Sequence, residues 1–470
     1  MRLTMIGGGY VGLTASACFA ELGHSVTCVD LDKRKLETLR QGRLPIFEPG
    51  LHELISRNIE LGQLDFSDSY DGIDRADAVF ITVGTPSHSN GNINHGFVEN
   101  AARQLARQLK PGAVVVIKST VDIGTCRRVQ KIIAKTRARL DFSVGSNPEF
   151  LREGTAVEDF FRPDRIIVGA DDPRAAACLR NLYEPLTVRG VPLVETSTVN
   201  AELVKFASNA FLALKIGFIN DVANLCEQLG AEVETVAHAL GLDSRIGARF
   251  LAPGPGFGGS CFPKDTRAFA AIGRKNAAPQ ALVETLIQRN EHRKVMLAER
   301  VFSEIEHHGP GTCVAVLGLA FKANTDDVRE APALTIIPIL QSAGIRIRAH
   351  DPKAIGSARS CLPGVRFFDT PYSAVHGADL ALVLTEWEDY RGLDLKRVAQ
   401  LMRGATLMDY RNLFSPPDVA RAGLKYVCLG RAPIHGSVNG FRPKKSGAIP
   451  ALDRLSPIGP ADETVQPPTT

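Results

Sequence analysis

The sequence predicts an α/β protein: two doubly wound parallel sheets joined by one long central helix. Three stretches carry that expectation. The first thirty residues read strand, glycine turn, helix, strand, acid. Residues 199–230 read as one long buried helix, and a second strand–turn–helix unit opens at residue 313. A chain of 470 residues agrees, allowing roughly three domains at about 150 residues each and a large core.

RLTMI (2–6) is a short apolar strand, followed at once by GGGYVG, in which Gly7, Gly9 and Gly12 satisfy G-x-G-x-x-G. Gly7 permits the tight turn, Gly9 lets the backbone approach a pyrophosphate, and Gly12 allows the helix close to the strand. The helix N-terminus offers free N–H groups to phosphate. SVTCVD (25–30) is the next strand and ends in Asp30. That carboxylate suits a ribose 2′-OH and repels a 2′-phosphate, so a Rossmann-like site for NAD rather than NADP is expected. The opening twenty residues resemble a leader in having Arg2, an apolar run and small residues, but three consecutive glycines interrupt the run.

ADAVFITVGTP (76–86), GAVVVIKST (112–120) and FSVGSNPEF (142–150) follow as near-continuous apolar runs, the pattern of strands buried on both faces of a parallel sheet. Ligands bind at the C-terminal ends of such strands, which nominates Thr85, Pro86, Ser119, Thr120, Glu149 and Glu153. For any single Ser or Thr there, helix capping explains the residue equally well.

VNAELVKFASNAFLALKIGFINDVANLCEQLG (199–230) lacks proline and is apolar around most of its circumference. Lys205 and Asn209, at i and i+4, share a face in this apolar setting, either as a surface lysine beside an amide or as a functional pair. CVAVLGLAF (313–321), GIRIRAHD (344–351), ADLALVLTEW (378–387) and ATLMDYRNLF (405–414) supply the second sheet. Lys322 and Arg329 flank its first turn, where a phosphate is expected; solvated loop cations are the competing reading. From about Arg431 the pattern dissolves into forty residues with seven prolines and four glycines, which reads as a mostly disordered tail. The expected organisation is therefore a dinucleotide domain at 1–198, a helical middle at 199–300, a second α/β domain at 301–430 and a tail at 431–470.

Composition excludes several classes. With 44% hydrophobic and 23% charged residues and a net charge of +4, a dedicated nucleic-acid binder is not expected. Nine cysteines are scattered without a CxxC pair, so neither a zinc site nor a disulfide framework is indicated. Eight read as small buried hydrophobes. No apolar run long enough for a membrane span appears, and a cytoplasmic protein is expected.

The ninth, Cys261, stands in GFGGSCFPKD (256–265). A thiol nucleophile suits an oxidation that continues past the aldehyde: thiolate adds, the thiohemiacetal gives up a second hydride, and water cleaves the thioester. The glycines would let a substrate approach closely, Lys264 would help hold the thiolate, and Asp265 would orient or deprotonate water. The plain alternative is a tight-turn residue.

GGGYVG, Asp30, VGTP, KSTV, NPEFLREGTAV, the Lys205–Asn209 pair, GFGGSCFPKD, FKANTDDVRE and DYR occur in this order over residues 1 to about 430. Together they resemble the UDP-glucose 6-dehydrogenases. The resemblance implies oxidation of UDP-glucose to UDP-glucuronate with two NAD and one water. It implies Cys261 as nucleophile, Asp265 as the water-activating partner, Thr120 and Glu149 around that water, and Lys205 and Asn209 on the oxyanion. Gly7, Gly9, Val11, Gly12, Asp30, Lys35, Thr85, Thr120, Glu153, Lys264 and Arg329 resemble cofactor contacts. Glu149, Phe150, Leu151, Arg152, Glu153, Lys205 and Asn209 resemble substrate contacts, as do Phe250, Leu251, Ala252, Pro253, Gly254, Pro255, Gly258 and Lys322, with Arg411 near the UDP. Arg245 matches an arginine that reaches the neighbouring subunit's substrate, implying a homodimer or higher oligomer. GDP-mannose and UDP-N-acetylmannosamine 6-dehydrogenases share the chemistry and are the nearest alternatives; FPKDTRAF leans towards glucose. The tail and the polar loop TPSHSNGNIN have no assigned role.

Overall fold

Burial on both faces decides the first sheet. Strands β1 (Arg2–Ile6), β2 (Ser25–Val29), β3 (Leu64–Ser67), β4 (Ala78–Ile81), β5 (Ala113–Ile117), β6 (Phe142–Ser146), β7 (Ile166–Ala170) and β8 (Leu193–Thr196) pair in the order 3-2-1-4-5-6-7-8. Side chains alternate across a strand. Thus Ala78 and Phe80 of β4 enter one core with Val114 and Val116 of β5, while Val79, Ile81, Val115 and Ile117 enter another on the opposite face. In this computed structural model residues 1–88, 90–305, 309 and 311–434 are described, and all lie in one compact unit.

The first six strands are parallel, as expected for apolar runs. The seventh is not: β6 and β7 pair antiparallel, Gly145 opposite Ala170. The connection after β6 is spent on the NPEFLREG loop and one short helix, Ala156–Phe161, so the chain returns along the sheet instead of crossing over it.

The second sheet comprises β9 (Cys313–Leu317), β10 (Arg346–His350), β11 (Arg366–Phe367), β12 (Leu380–Val383), β13 (Thr406–Asp409) and β14 (Lys425–Cys428), all parallel, in the order 11-10-9-12-13-14. Between the sheets runs the helix Thr198–Leu229, about 48 Å long at 1.5 Å per residue. Ser197 Oγ accepts Asn200 N–H at its start, and Gly230 closes it in the left-handed conformation (φ 71°). Of the stretch expected as a tail (431–470), residues 431–434 are described and pack on the second sheet's end. Arg431 pairs with Glu234, and Ile434 bridges Tyr426; residues 435–470 fall outside the described residues.

Candidate active site

The glycine turn after β1 is built as the motif predicts. A Cβ on Gly12 would lie 1.8 Å from the Gly7 carbonyl oxygen, so only glycine lets the helix Tyr10–Glu21 start this close to the strand. Thr82 Oγ1 bonds the Ile6 and Gly7 carbonyls at 2.9 Å each and fixes the turn from β4. At Gly9 an added Cβ would meet nothing within 4 Å, so the helix N-terminus is open on the side where a pyrophosphate would sit. Asp30 receives Gly8 N–H at 2.9 Å and Lys35 Nζ at 2.6 Å. Burial opposes its charge, but Lys35 and the amide bonds win and hold the carboxyl below its usual range. Thr85 follows β4 and Thr120 follows β5, both at the C-terminal edge of the sheet next to the turn. These groups fit an NAD.

A cavity of about 880 Å³ lies between the NPEFLREG loop, the long helix, the 249–262 segment and the second sheet's loops. Its walls include Glu149, Phe150, Leu151, Arg152, Glu153, Lys205, Asn209, Phe250, Ala252, Gly254, Gly258, Cys261, Lys322 and Arg411. The i, i+4 pair on the long helix faces this chemistry. Lys205 Nζ donates to Glu149 Oε1 and to the Glu149 carbonyl, both at 2.8 Å. Asn209 Nδ2 donates to Asp265 Oδ2 at 2.6 Å. For Lys205 the Glu149 charge overcomes desolvation and holds the ammonium on. For Glu149 burial is likewise overcome by Lys205, which keeps the carboxyl ionised.

Cys261 stands at the N-cap of the helix Phe262–Lys275. Burial pushes its thiol up to about 11, and the cation that pulls it down is Lys205. Lys264, expected to support the thiolate, instead pairs with Asp265 at 2.5 Å. Beyond the sulfur, Ser260 Oγ donates to Glu153 Oε1 at 2.8 Å, and Arg329 reaches both Asp327 at 2.7 Å and Glu153 at 3.5 Å. Desolvation and the Asp327 charge push Glu153 up to about 7.

The glycines before Cys261 have a second reason besides substrate access. A Cβ on Gly258 would lie 2.4 Å from the Glu330 carbonyl oxygen, and one on Gly259 (φ 83°) 2.7 Å from the Phe321 ring. They let the cysteine loop pass against the 321–330 loop, where Gly259 N–H bonds the Arg329 carbonyl at 2.8 Å.

Not every expected residue converges. Arg245 is exposed, paired with Asp243 at 2.6 Å, and does not line the cavity. Leu251 and Pro253 are buried rather than lining it. Sequence reasoning missed several supports. Glu48 accepts the Tyr10 hydroxyl and the amides of Gly154 (2.6 Å) and Ala156 (2.7 Å), tying the glycine turn to the NPEFLREG loop. Lys118, under Glu149, is buried on Asn147 Oδ1 at 2.8 Å, and desolvation lowers it to about 8. Asn220 and Arg293 hold Gly254, through its N–H at 2.9 Å and its carbonyl at 2.6 Å. Only the buried position of Lys118 in an apolar run was a usable signal.

Residues 1–187 match the NAD binding domain, 199–292 the central domain and 315–416 the UDP binding domain of the UDP-glucose/GDP-mannose dehydrogenase family. The chain is 46% identical over 435 residues to a UDP-glucose 6-dehydrogenase of Rhizobium meliloti (strain 1021), covering 92% of this chain and 100% of that protein. It is 42% identical over 439 residues to UDP-glucose 6-dehydrogenase TuaD of Bacillus subtilis (strain 168), covering 93% and 94%. Among solved structures, a UDP-glucose dehydrogenase from Pyrobaculum islandicum superimposes with a TM-score of 0.84 at 39% identity, covering 92% of this chain and 98% of that one. With its NAD-binding turn and the cysteine cavity facing a second nucleotide-sized domain, the chain belongs to the UDP-glucose/GDP-mannose dehydrogenase family of NAD-dependent enzymes.

Proposed function

We propose that this enzyme oxidises UDP-glucose to UDP-glucuronate in two hydride transfers, through a thiohemiacetal and a thioester on Cys261. The carrying observation is the thiol itself, on a cavity wall with Lys205, Glu149 and Asn209, and with Asp265 buried behind Asn209. A single two-electron oxidation of an alcohol has no use for that thiol. NAD, when bound at the glycine turn, supplies the hydride acceptor for each oxidation.

In this reading Lys322 and Arg411, both on the cavity wall, hold the UDP end by charge. Lys205, fixed as an ammonium by Glu149, faces the carbonyl oxygen as negative charge develops on it. Cys261 adds to the aldehyde carbon, forming the S–C bond that the final hydrolysis breaks. Asp265, fully buried and bonded to Asn209 and Lys264, orients the water with Thr120 and Glu149. In the same reading Glu153, Lys264 and Arg329 would contact the cofactor.

A second copy of the chain completes the assembly. Phe211, Phe218, Leu225 and Leu229 leave an exposed apolar face on the long helix, with relative exposures of 63%, 57%, 56% and 72%. Such a stripe fits burial against another copy, which would carry the exposed Arg245 towards the neighbour's substrate. No helix among the described residues is long and apolar enough to cross a membrane, and a cytoplasmic location is proposed.

The test is a panel of UDP-glucose, GDP-mannose and UDP-N-acetylmannosamine, with product identification and counting of NADH. UDP-glucose giving UDP-glucuronate and two NADH supports the reading. One NADH per substrate, or preference for another sugar nucleotide, contradicts it.

A further inference from the structure

Among the described residues, Cys261 Sγ has one side-chain hydrogen-bond partner, Ser260 Oγ at 3.5 Å. That hydroxyl gives its single proton to Glu153 Oε1 at 2.8 Å. Its lone pairs are therefore left to accept the thiol proton. Glu153 is 8% exposed, and its other oxygen receives Thr325 Oγ1 at 3.1 Å.

The other polar groups around the sulfur are committed elsewhere. Lys205 is held as a cation and has no lone pair to offer. The two oxygens of Glu149 take Lys205 and the Leu151 amide. Those of Asp265 take Asn209 and Lys264. Glu153 is the acceptor with a continuous hydrogen-bond path from the thiol.

Resting on the covalent reading above, we infer that Ser260 is a catalytic residue. It passes the Cys261 thiol proton to Glu153 as sulfur attacks the aldehyde, and returns it when the thioester is cleaved. In the forward step the S–C bond forms and the S–H bond breaks. The thiol proton goes to Ser260 Oγ while the serine proton goes to Glu153 Oε1, and the carbonyl electron pair moves to oxygen. No electron acceptor is needed for this step. In hydrolysis the S–C electron pair returns to sulfur, and the same two protons shift back. The elevated proton affinity of Glu153, pushed up to about 7 by burial and Asp327, lets it hold a proton through the cycle.

The experiment supplies the 6-aldehyde of UDP-glucose with NAD and follows NADH in mixtures of H₂O and D₂O. It uses the full-length protein, Ser260→Ala, Ser260→Thr and Glu153→Gln. Ser260→Ala is expected to slow aldehyde oxidation about 10²–10³-fold, with the dissociation constant for UDP-glucose within about threefold of normal because only a hydroxyl is removed. Ser260→Thr restores most of the rate. The unmodified protein gives a curved dependence on deuterium fraction, from two protons in flight, and Ser260→Ala a linear one. Aldehyde oxidation by Ser260→Ala at an unchanged rate, or a linear dependence in the unmodified protein, overturns the relay alone. An unmodified protein that cannot oxidise the aldehyde overturns the covalent reading itself.

Discussion

The two sheets repeat one unit and use it differently. After β1, Gly7 (φ 109°) turns where a Cβ would lie 2.9 Å from the Thr82 carbonyl carbon; after β9, Gly318 (φ 102°) turns where it would lie 2.4 Å from Thr385 Cβ. Each sheet's next strand leads into an aspartate, Asp30 after β2 and Asp351 after β10. Asp30 is half-buried beside an open helix N-terminus. Asp351 is 2% exposed. Its oxygens accept the amides of Leu319, Ala320, Lys353 and Ala354 and the Trp387 indole N–H. The same position is thus left open to a ligand in one sheet and is spent on the fold itself in the other. An acid at the end of the second strand is free for a ribose only where the turn leaves it uncovered, and on the second sheet's side the cavity wall carries Lys322 and Arg411, the proposed grip on the UDP.

Removing each acid in turn separates the two roles. Asp351→Ala strands several buried N–H donors and should cost about 3–5 kcal/mol of stability. Asp30→Ala should leave stability within about 1 kcal/mol but weaken NAD binding by on the order of 1–3 kcal/mol and narrow the preference over NADP. Denaturant titration and cofactor titration of the two variants decide; equal losses of stability would erase the distinction.

A second contrast separates chemistry from grip. Lys205→Ala should lower kcat by about 10²–10³, far more than it weakens UDP-sugar binding. Poor binding with normal turnover would make Lys205 a binding residue.

Glu153 gives the pH arm. Its folded value of about 7 lies above its ordinary 4.5. The unfolded chain therefore ionises first, and this group's contribution to stability is present below pH 4.5 and lost as pH rises through 7. The ligand-free protein should lose up to roughly 3 kcal/mol over that window relative to Glu153→Gln. Denaturation midpoints at pH 5 and pH 8 that move in parallel for both proteins would remove the effect. The smallest expected change is Lys322→Ala, raising KM for the UDP-sugar by about 1–2 kcal/mol equivalent with kcat nearly unchanged; a fall in kcat alone would take Lys322 out of the UDP grip.

Local patterns made much of this legible. The glycine turn, Asp30, the buried strands β1, β4, β5 and β6, and the shared face of Lys205 and Asn209 all follow from spacings within one element. What stayed hidden depends on distant partners. Ile166–Ala170 and Leu193–Thr196 are short strands whose direction follows from an intervening loop. Glu48 sits between two prolines and shows its use only when folded against Tyr10 and Gly154. Lys264 follows Cys261 by three residues, yet its nearest anion is Asp265, so the thiol's cation comes from Lys205, 56 positions away in sequence from both Glu149 and Cys261. The glycines of GFGGSC read as room for a substrate, but Gly258 and Gly259 also clear the Glu330 backbone and the Phe321 ring.

If the product is made through sulfur, Cys261→Ala abolishes it. The variant keeps both ligand sites, so it should bind NAD and UDP-glucose near normally while making no UDP-glucuronate detectable by mass spectrometry. UDP-glucuronate formed at more than about 1% of the normal rate, against the 10⁴-fold or greater loss typical of removing a covalent nucleophile, would contradict the covalent route and leave Cys261 a turn residue.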